Sequence, residues 1–225
     1  MISTFVRRLA ACSLAAAGAV GGLMVSSSFN SGGLPSAHAD PCPPVEVIFA
    51  RGRNEAPGPG RLGNAFIDAL RARVPMEVAA YGANYPANTE IAQGANDVSS
   101  RIQFMAGACP DTRLVVGGYS LGAASAAVAL SANTNGFGFK NPLPPGVDTH
   151  VAAVVLFANV TRRMGGAGVG PAFRDRVFEA CNPEDPICRT GMPDFQNDWG
   201  SHLQDSYING GLVNQAADFA AARVQ

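Results

Sequence analysis

The pentapeptide Gly118–Gly122, with the sequence Gly-Tyr-Ser-Leu-Gly, is the feature that most constrains the fold of this chain. It directly follows the apolar run 114–117 and precedes an Ala-rich stretch, an order that predicts strand, sharp turn and helix. This order is typical of the nucleophile elbow, in which glycines on either side of a serine let strand and helix approach closely. The motif predicts that the hydroxyl of Ser120 stands at the carboxyl end of a strand. By itself the signal is weak, because an ordinary β–α turn with a serine cap has the same residues.

Short apolar runs alternate with stretches of helical periodicity along the rest of the chain. The predicted strands are Val45–Ala50, Met76–Tyr81, Thr112–Tyr119, Val151–Phe157 and Arg176–Ala180. The predicted helices are Leu62–Arg73, Glu90–Ala106, Ala123–Ala132, Ser201–Tyr207 and Leu212–Arg223. This alternation predicts an α/β fold, a parallel sheet covered by helices on both faces. In such a sheet, functional groups collect beyond the carboxyl ends of the strands.

Residues 1–39 have the pattern of a secretory signal peptide. Arg7 and Arg8 precede an uncharged apolar stretch, and Ala37–Ala39 forms an A-x-A cleavage site before Asp40. A membrane anchor is the alternative, but the apolar stretch is short for a bilayer span. We therefore expect a secreted, extracellular protein, with cell-wall association as an option, exported by the general or the twin-arginine route.

The predicted mature chain, 40–225, has a length that suits a single domain. Loss of Arg7 and Arg8 leaves 14 basic and 17 acidic side chains, a net charge of −3. No basic cluster is present in the sequence, so we expect no nucleic-acid partner. A monomer without a stable membrane span after cleavage is the default expectation for a chain of this size.

Four of the five cysteines remain after the predicted cleavage, namely Cys42, Cys109, Cys181 and Cys188. An even set in an exported protein predicts two disulfides, for which the sequence allows three pairings. Pairing Cys181 with Cys188 across a short turn is the economical choice. Zinc is disfavoured because no C-x-x-C motif occurs, so we expect no metal and no cofactor.

A nucleophilic serine needs a base, and only two histidines follow the leader. His150 opens a predicted strand, which places it at the edge of the sheet opposite Ser120. His202 follows every predicted strand and is the better candidate. Ser201 and Gln204 fit a capping box, which predicts that His202 lies in the first turn of a helix.

The acid of a Ser-acid-His set lies between the other two in the chain order of α/β-hydrolases. Asp185 is preferred because it follows a predicted strand inside the Cys181–Cys188 loop, where a disulfide would fix its position. Glu184 is second, and an ordinary acidic turn residue is the alternative interpretation. The acids weighed are Asp148, Asp175, Glu179, Glu184, Asp185, Asp194 and Asp198.

Several of these segments together resemble the cutinase family, and in particular the secreted cutinase-like proteins of mycobacteria and their relatives. The resemblance extends from Pro41 to about residue 221. It rests on the elbow 117–122, the C-N-x-x-D-x-x-C segment 181–188, His202-Leu203 with Tyr207, and the Ala50-Arg51-Gly52 tract with Glu55.

The resemblance implies a compact α/β-hydrolase fold with a central five-stranded parallel sheet and no large lid. It implies a serine ester hydrolase with Ser120 as nucleophile, His202 as general acid/base and Asp185 as the orienting acid. It implies the disulfides Cys42–Cys109 and Cys181–Cys188. It also implies an oxyanion hole made by the backbone N–H groups of Leu121 and Arg53.

Two positions depart from the family pattern. Leu121 stands where many cutinases have glutamine, and Arg53 stands where members usually have serine or threonine. An arginine keeps the backbone donor but lacks the supporting hydroxyl, and loss of one oxyanion donor typically costs about 3 kcal/mol of barrier. Arg53 either attracts an anionic or phosphate-bearing lipid or simply faces solvent.

Three loops could shape the substrate cleft. Phe137–Gly146 and Thr161–Ala172 are long and rich in glycine and proline, and the phenylalanines of the first mildly favour a functional role. The segment between Cys188 and His202 either forms an apolar flap over the acyl site or packs against the body; its large apolar residues are Met192, Phe195 and Trp199.

The favoured function is hydrolysis of short- to medium-chain acyl esters through an acyl-enzyme on Ser120. Alternatives within the same chemistry are a lipase or phospholipase, an acetylxylan-type esterase and a hydrolase of cutin or other polyesters. An alternative of a different class is a catalytically weak cell-surface binding or antigenic protein on the same fold.

Overall fold

Five short parallel strands form the centre of the molecule. The computed structural model describes residues 42–162, 168–189 and 199–225, so the predicted leader and its cleavage site lie outside the described residues. The sheet order is β2-β1-β3-β4-β5, as predicted for an α/β fold. The strands are β1 (Val45–Ala50), β2 (Val78–Gly82), β3 (Arg113–Tyr119), β4 (Val151–Phe157) and β5 (Val177–Ala180).

The inner strands are mostly apolar because helices cover both faces of the sheet. Every residue of β1 is buried, and its alternating side chains enter two separate cores. The first core contains three phenylalanines in mutual ring contact, Phe49, Phe66 and Phe157. The helices are α1 (Gly60–Arg71), α2 (Ile91–Ala108), α3 (Leu121–Ser131), α4 (Gln204–Asn209) and α5 (Leu212–Val224).

The helices divide between the two faces of the sheet. Apolar residues of α1 and α5 belong to the core around Phe49, whereas those of α2 and α3 belong to the core around Ile48. Almost every residue of α3 is buried, which its alanine-rich sequence permits, because small side chains let it pack closely against α2 and the sheet. Both faces are therefore covered, as the sequence predicts.

The register of the sheet brings four strand ends to one edge. Ala50 lies beside Gly118, Tyr119 beside Phe157, and Phe157 beside Ala180. The chain order reverses between β1 and β3, since β2 lies on one side of β1 and the later strands lie on the other. Such a reversal opens a crevice outside the carboxyl ends of the strands. We call this side of the molecule the catalytic edge.

Both disulfides of the expected pairing are present. Cys42 bonds to Cys109 with an S–S distance of 2.04 Å, and Cys181 bonds to Cys188 at 2.06 Å. The first links the segment before β1 to the end of α2, and the second closes the loop after β5. Across 42–162, 168–189 and 199–225, the search for an apolar helix long enough to cross a bilayer found none.

Candidate active site

Ser120 occupies a strained turn between β3 and α3. Its φ is 54° and its ψ is −113°, a backbone conformation that residues other than glycine rarely adopt. Two backbone bonds hold it there: the N–H of Ser120 donates to the carbonyl of Phe157 at 2.8 Å, and the N–H of Ala124 donates to the carbonyl of Ser120 at 3.1 Å. Strain of this kind persists where the surroundings over-determine the backbone, and it collects at active sites.

The two flanking glycines are required by close backbone approaches. A Cβ on Gly122 would lie 2.0 Å from the carbonyl oxygen of Ala50, and a Cβ on Gly118 would lie 2.4 Å from the backbone of Gly122. No side chain fits at either position. The strand–turn–helix interpretation of the pentapeptide is therefore confirmed.

Ser120, His202 and Asp185 form one continuous hydrogen-bonded chain. The Oγ of Ser120 lies 2.9 Å from Nε2 of His202, and Nδ1 of His202 lies 2.7 Å from Oδ2 of Asp185. The carboxylate is completely buried and the imidazole is 4% exposed. His150, by contrast, precedes β4 at the opposite edge, where its Nδ1 lies 3.1 Å from the carbonyl of Pro110. The structure thus brings together the three residues that the sequence favours.

Asp185 is fixed by more than the imidazole. Its Oδ1 accepts a hydrogen bond from the N–H of Ile187 at 2.7 Å, and its Oδ2 accepts one from the hydroxyl of Tyr207 at 2.5 Å. Burial, together with the bond to this carboxylate, raises the pKa of Tyr207 far above its ordinary value, so the phenol remains a donor. Donors on both oxygens stabilise the ionised carboxylate away from water.

Two aromatic rings contact the imidazole of His202. The ring of Tyr119 stacks on it with a centroid distance of 5.4 Å, and the ring of Trp199 lies 4.6 Å from it. The hydroxyl of Tyr119 donates to the carbonyl oxygen of His202, and burial raises the pKa of this phenol. These contacts hold the ring plane in which Nε2 faces Ser120.

The predicted capping box at Ser201 is wrong. His202 ends a short 3-10 helix, Trp199–His202, and α4 begins only at Gln204, with Leu203 in an extended conformation between them. The carbonyl of Ser201 instead accepts bonds from the hydroxyl of Ser206 at 2.6 Å and the amide of Asn182 at 3.2 Å. Bonds to other segments therefore hold this backbone and override the local capping preference.

The expected oxyanion donors lie beside the serine. Leu121 is the first residue of α3, and Arg53 lies in the loop between β1 and α1. Both residues line the same cavity as Ser120. Within the described part of the chain, neither backbone N–H donates to another group. These two N–H groups remain the candidates for binding a developing oxyanion, to which the amino end of the helix would add stabilisation.

A carboxylate shapes the loop that carries Arg53. Glu55 accepts from the N–H of Gly52 at 2.6 Å and from the N–H of Arg61 at 2.8 Å. A Cβ on Gly52 would lie 2.6 Å from the ring of Tyr119, so the loop packs directly against the elbow. Rigid support of this kind is what a preorganised site requires.

A buried arginine supports the same loop from below. Arg51 is 4% exposed and donates to the carbonyls of Ala83 at 3.1 Å and Tyr85 at 2.5 Å. The hydroxyl of Tyr85 returns a bond to the carbonyl of Arg51, and burial raises the pKa of this phenol to about 12. Sequence reasoning noted Arg51 but missed Tyr85, which no motif distinguishes from an ordinary core tyrosine.

The site opens into a cavity of about 580 Å³ lined by both polar and apolar residues. Besides the catalytic residues, the polar lining includes Arg53, Asn54 and Thr89, and the apolar lining includes Val160, Ile187, Trp199 and Leu203. The side chain of Arg53 is exposed, and no described residue forms a hydrogen bond or ion pair with it. Of the predicted apolar flap, Met192 and Phe195 lie outside the described residues, whereas Trp199 lines the cavity.

A serine, an imidazole and a buried carboxylate linked in this order, beside two free N–H groups, are the arrangement of a serine hydrolase. The family model described as Cutinase matches residues 41–224, so this chain belongs to the cutinase family and is a serine ester hydrolase. The sequence-based assignment of family and fold is confirmed.

Known proteins of similar sequence and structure agree with this assignment. Probable carboxylesterase Culp2 of Mycobacterium tuberculosis H37Rv is 46% identical over 230 residues, covering 100% of both chains. Phospholipase Culp4 of the same strain is 47% identical over 188 residues, covering 81% of this chain and 80% of the relative. The cutinase of Trichoderma reesei, solved in complex with a C11Y4 phosphonate inhibitor, is 27% identical, with a TM-score of 0.63, and covers 83% of this chain and 78% of that one.

Proposed function

We propose that this chain is a secreted carboxylesterase that hydrolyses short- to medium-chain acyl esters through an acyl-enzyme on Ser120. The observation that carries the proposal is the unbroken chain from Ser120 Oγ through His202 to Asp185, with contacts of 2.9 and 2.7 Å. The cavity of about 580 Å³ supports a small ester, because its apolar lining residues can contact an acyl chain and its polar ones can contact the ester group.

Acylation begins when Ser120 Oγ attacks the ester carbonyl carbon and His202 Nε2 accepts the hydroxyl proton. Asp185 holds the imidazole tautomer and stabilises the resulting imidazolium. The N–H groups of Leu121 and Arg53 bind the carbonyl oxygen as it becomes an oxyanion. When the intermediate collapses, the bond to the alcohol oxygen breaks, and His202 returns its proton to the leaving alcohol.

Deacylation repeats these steps with water as the nucleophile. His202 removes a proton from the water, the hydroxide oxygen bonds to the acyl carbon, and the bond to Ser120 Oγ breaks. The proton then passes from His202 to the serine, which regenerates the free enzyme and releases a carboxylic acid. The same two N–H groups stabilise both tetrahedral intermediates.

A series of p-nitrophenyl esters from acetate to palmitate tests the proposal on the wild-type chain and on Ser120→Ala. We expect the highest kcat/KM among the shorter acyl chains and a loss of about 10⁶-fold in kcat for Ser120→Ala, as for other serine hydrolases. Activity that survives unchanged in Ser120→Ala would reject the mechanism. Absence of turnover in the wild type would favour the binding-protein alternative.

Phospholipid hydrolysis is a second candidate, and Arg53 is the observation that favours it. Arg53 is exposed and lines the cavity, where a phosphate could accept a bidentate pair of hydrogen bonds from its guanidinium. Support also comes from the relative named a phospholipase, which is 47% identical. The test compares a phosphatidylcholine with a neutral diacylglycerol on wild type and Arg53→Gln; only a loss specific to the phospholipid supports this candidate.

Export is part of the proposal and has its own test. The leader pattern at 1–39 and two disulfides in the described chain both suit an oxidising compartment. Expression in an exporting host should yield an extracellular protein whose first residue is Asp40, as read by N-terminal mass spectrometry. Gel filtration of that product should give the mass of a monomer. Retention of residues 1–39 would support a membrane anchor instead.

A further inference from the structure

Residues 132–146 take a longer route than the connection requires. α3 begins at the catalytic edge and ends near the opposite edge, where β4 starts, so two to six residues would suffice to join them. The loop instead runs back along α2: Gly138 approaches Ala92 in its first turn, and Asn141 bonds to Ser99 and Ser100 further along. The loop therefore runs along α2 towards the catalytic edge and then returns to the start of β4.

Phe137 occupies the apex of this route in a conformation that phenylalanine disfavours. Gly136 and Phe139 exchange backbone hydrogen bonds at 2.9 and 2.8 Å, which closes a two-residue turn. Both central residues have positive φ, 48° for Phe137 and 86° for Gly138. A residue with a side chain is destabilised in this region, because its Cβ comes too close to the following carbonyl oxygen. The relative solvent exposure of Phe137 is 108%, which means that the residue is fully exposed. No packing within the described chain therefore offsets the strain.

The turn is nevertheless held firmly. The amide of Asn96 donates to the carbonyl of Gly138 at 2.9 Å and accepts from the N–H of Lys140 at 2.8 Å. Phe139, the next aromatic residue, is 2% exposed and packs in the core beneath the turn. A rigid support that presents a strained, solvent-exposed phenylalanine points to a function for that side chain, because strain of this kind is retained where it has a use.

The apex lies beside the first turn of α2, the end of that helix that reaches the catalytic cavity. Ala92, which Gly138 approaches, directly follows Ile91, and Ile91 lines the cavity. Four large apolar side chains stand out as exposed in the described part of the chain. Trp199 and Leu203 line the cavity, Phe137 lies beside the first turn of α2, and Phe104 lies near the other end of α2.

We propose that Phe137 is an anchor that inserts into the surface of a lipid aggregate and so presents the cavity mouth to esters in that surface. One projecting ring between glycines is too small for a protein interface, which needs about 800 Å² from each partner. Aromatic rings partition well into the boundary between lipid headgroups and acyl chains. The exposed Lys140 beside the turn favours anionic headgroups. The inference goes beyond ester hydrolysis and uses that proposal only in choosing a lipid as partner.

Vesicle binding tests the anchor without any hydrolysis. The full chain carrying Ser120→Ala is sedimented with phosphatidylcholine vesicles that contain phosphatidylglycerol. Adding Phe137→Ser should weaken partitioning about 10-fold, since insertion removes the phenylalanine ring from water and a serine gains nothing comparable. Adding Phe104→Ser is the matched control and should leave partitioning unchanged. Failure of the parent to bind, or equal effects of the two substitutions, would overturn the proposal.

Activity gives a second, independent test on the chain with Ser120 intact. Phe137→Ser should lose about 10-fold on an emulsified triacylglycerol and keep its kcat/KM on p-nitrophenyl acetate in solution. Phe137→Trp should retain both activities. Equal losses on both substrates would assign the loop a structural role and reject the anchor. If the proposed esterase function were wrong, the result would differ, because the wild type would then not hydrolyse the soluble ester at all.

A variant that relieves the backbone strain distinguishes a loss of lipid binding from a loss of folding stability. Asparagine tolerates positive φ, so Phe137→Asn should leave the Tm unchanged or raise it by about 1–3 °C while it loses vesicle binding. A more stable variant that binds less supports the anchor. Unchanged vesicle binding by Phe137→Asn would contradict it.

Discussion

The two sides of Ser120 are built differently. On the acid–base side, His202 and Asp185 are buried, and Tyr119 and Tyr207 hold them through hydrogen bonds and ring contacts. On the oxyanion side, the loop backbone is equally well supported by Glu55, but Arg53, which lines the cavity, has an exposed side chain without a described partner. The first side fixes the chemistry, whereas the second leaves a side chain free to select the substrate. The following predictions test that contrast.

The largest effect should follow from changing the buried carboxylate. Asp185→Asn should lower kcat/KM by about 10⁴-fold, because an amide stabilises neither the required tautomer nor the imidazolium. The neighbouring Glu184→Gln is the matched control and should stay within about 2-fold, as expected for an exposed group outside the hydrogen-bonded chain. Steady-state kinetics on p-nitrophenyl butyrate measure both. Comparable losses in the two variants would remove the distinction between these acids.

Arg53→Ser should raise the catalytic rate, whereas Asp185→Asn lowers it. Restoring a hydroxyl beside the oxyanion should raise kcat on a neutral soluble ester by about 10-fold, a part of the 10²–10³-fold that one complete oxyanion donor contributes. Arg53→Ala keeps the backbone N–H without a hydroxyl and should not show this gain. Equal rates for the serine and alanine variants would mean that the hydroxyl has no role in this site.

Removing the phenol behind the carboxylate should have a much smaller effect than changing the carboxylate itself. Tyr207→Phe deletes one of the hydrogen bonds to Asp185, and a bond to a charged group is worth about 1.5–3 kcal/mol. We expect kcat to fall about 10-fold with little change in KM, since Tyr207 contacts no part of the cavity. Tyr81→Phe, which removes a bond to Asp97 far from the site, is the control. A change confined to KM would contradict a positioning role.

The smallest effect concerns stability at the end of β5. Burial raises the pKa of Glu179 above its ordinary 4.5, and one of its oxygens has no hydrogen-bond partner among the described residues. Between 4.5 and the raised value the folded state binds more protons than the unfolded state, so stability falls as pH rises through this window. Glu179→Gln should therefore raise the Tm at pH 7 by about 1–3 °C and have less effect at pH 4. Differential scanning fluorimetry at both pH values measures the Tm, and Glu77→Gln at an exposed position is the control. A lower Tm of Glu179→Gln than of the wild type at pH 7 would contradict the prediction.

Much of the catalytic edge could be predicted because it follows from local sequence and chain order. The elbow is a contiguous motif, and the scarcity of histidine leaves His202 as the suitable base. The disulfide loop separates Glu184 and Asp185 from the other acids, and the C-N-x-x-D-x-x-C pattern selects Asp185. Of the five predicted strands, all are present with ends within two residues of the observed ones, because buried parallel strands have continuous apolar sequences.

What could not be predicted depends on contacts between distant segments. Ser201 has the sequence of a helix cap, but Asn182 and Ser206 bond its carbonyl and the helix begins later. The bond from Tyr207 to Asp185 spans 22 residues and has no local signature. The route of residues 132–146 is set by polar side chains of α2, which a helix pattern alone classifies as solvent-facing.

The central claim is that Ser120 is a nucleophile activated by a complete site on both sides. Reaction of the wild-type chain with a p-nitrophenyl alkylphosphonate, followed by intact-mass and peptide mass spectrometry, tests it most directly. We predict one phosphonyl group per chain, located on Ser120, with parallel loss of esterase activity and no labelling of Ser120→Ala. Esterase activity that persists while Ser120 remains unlabelled, or labelling at another residue, would contradict the account.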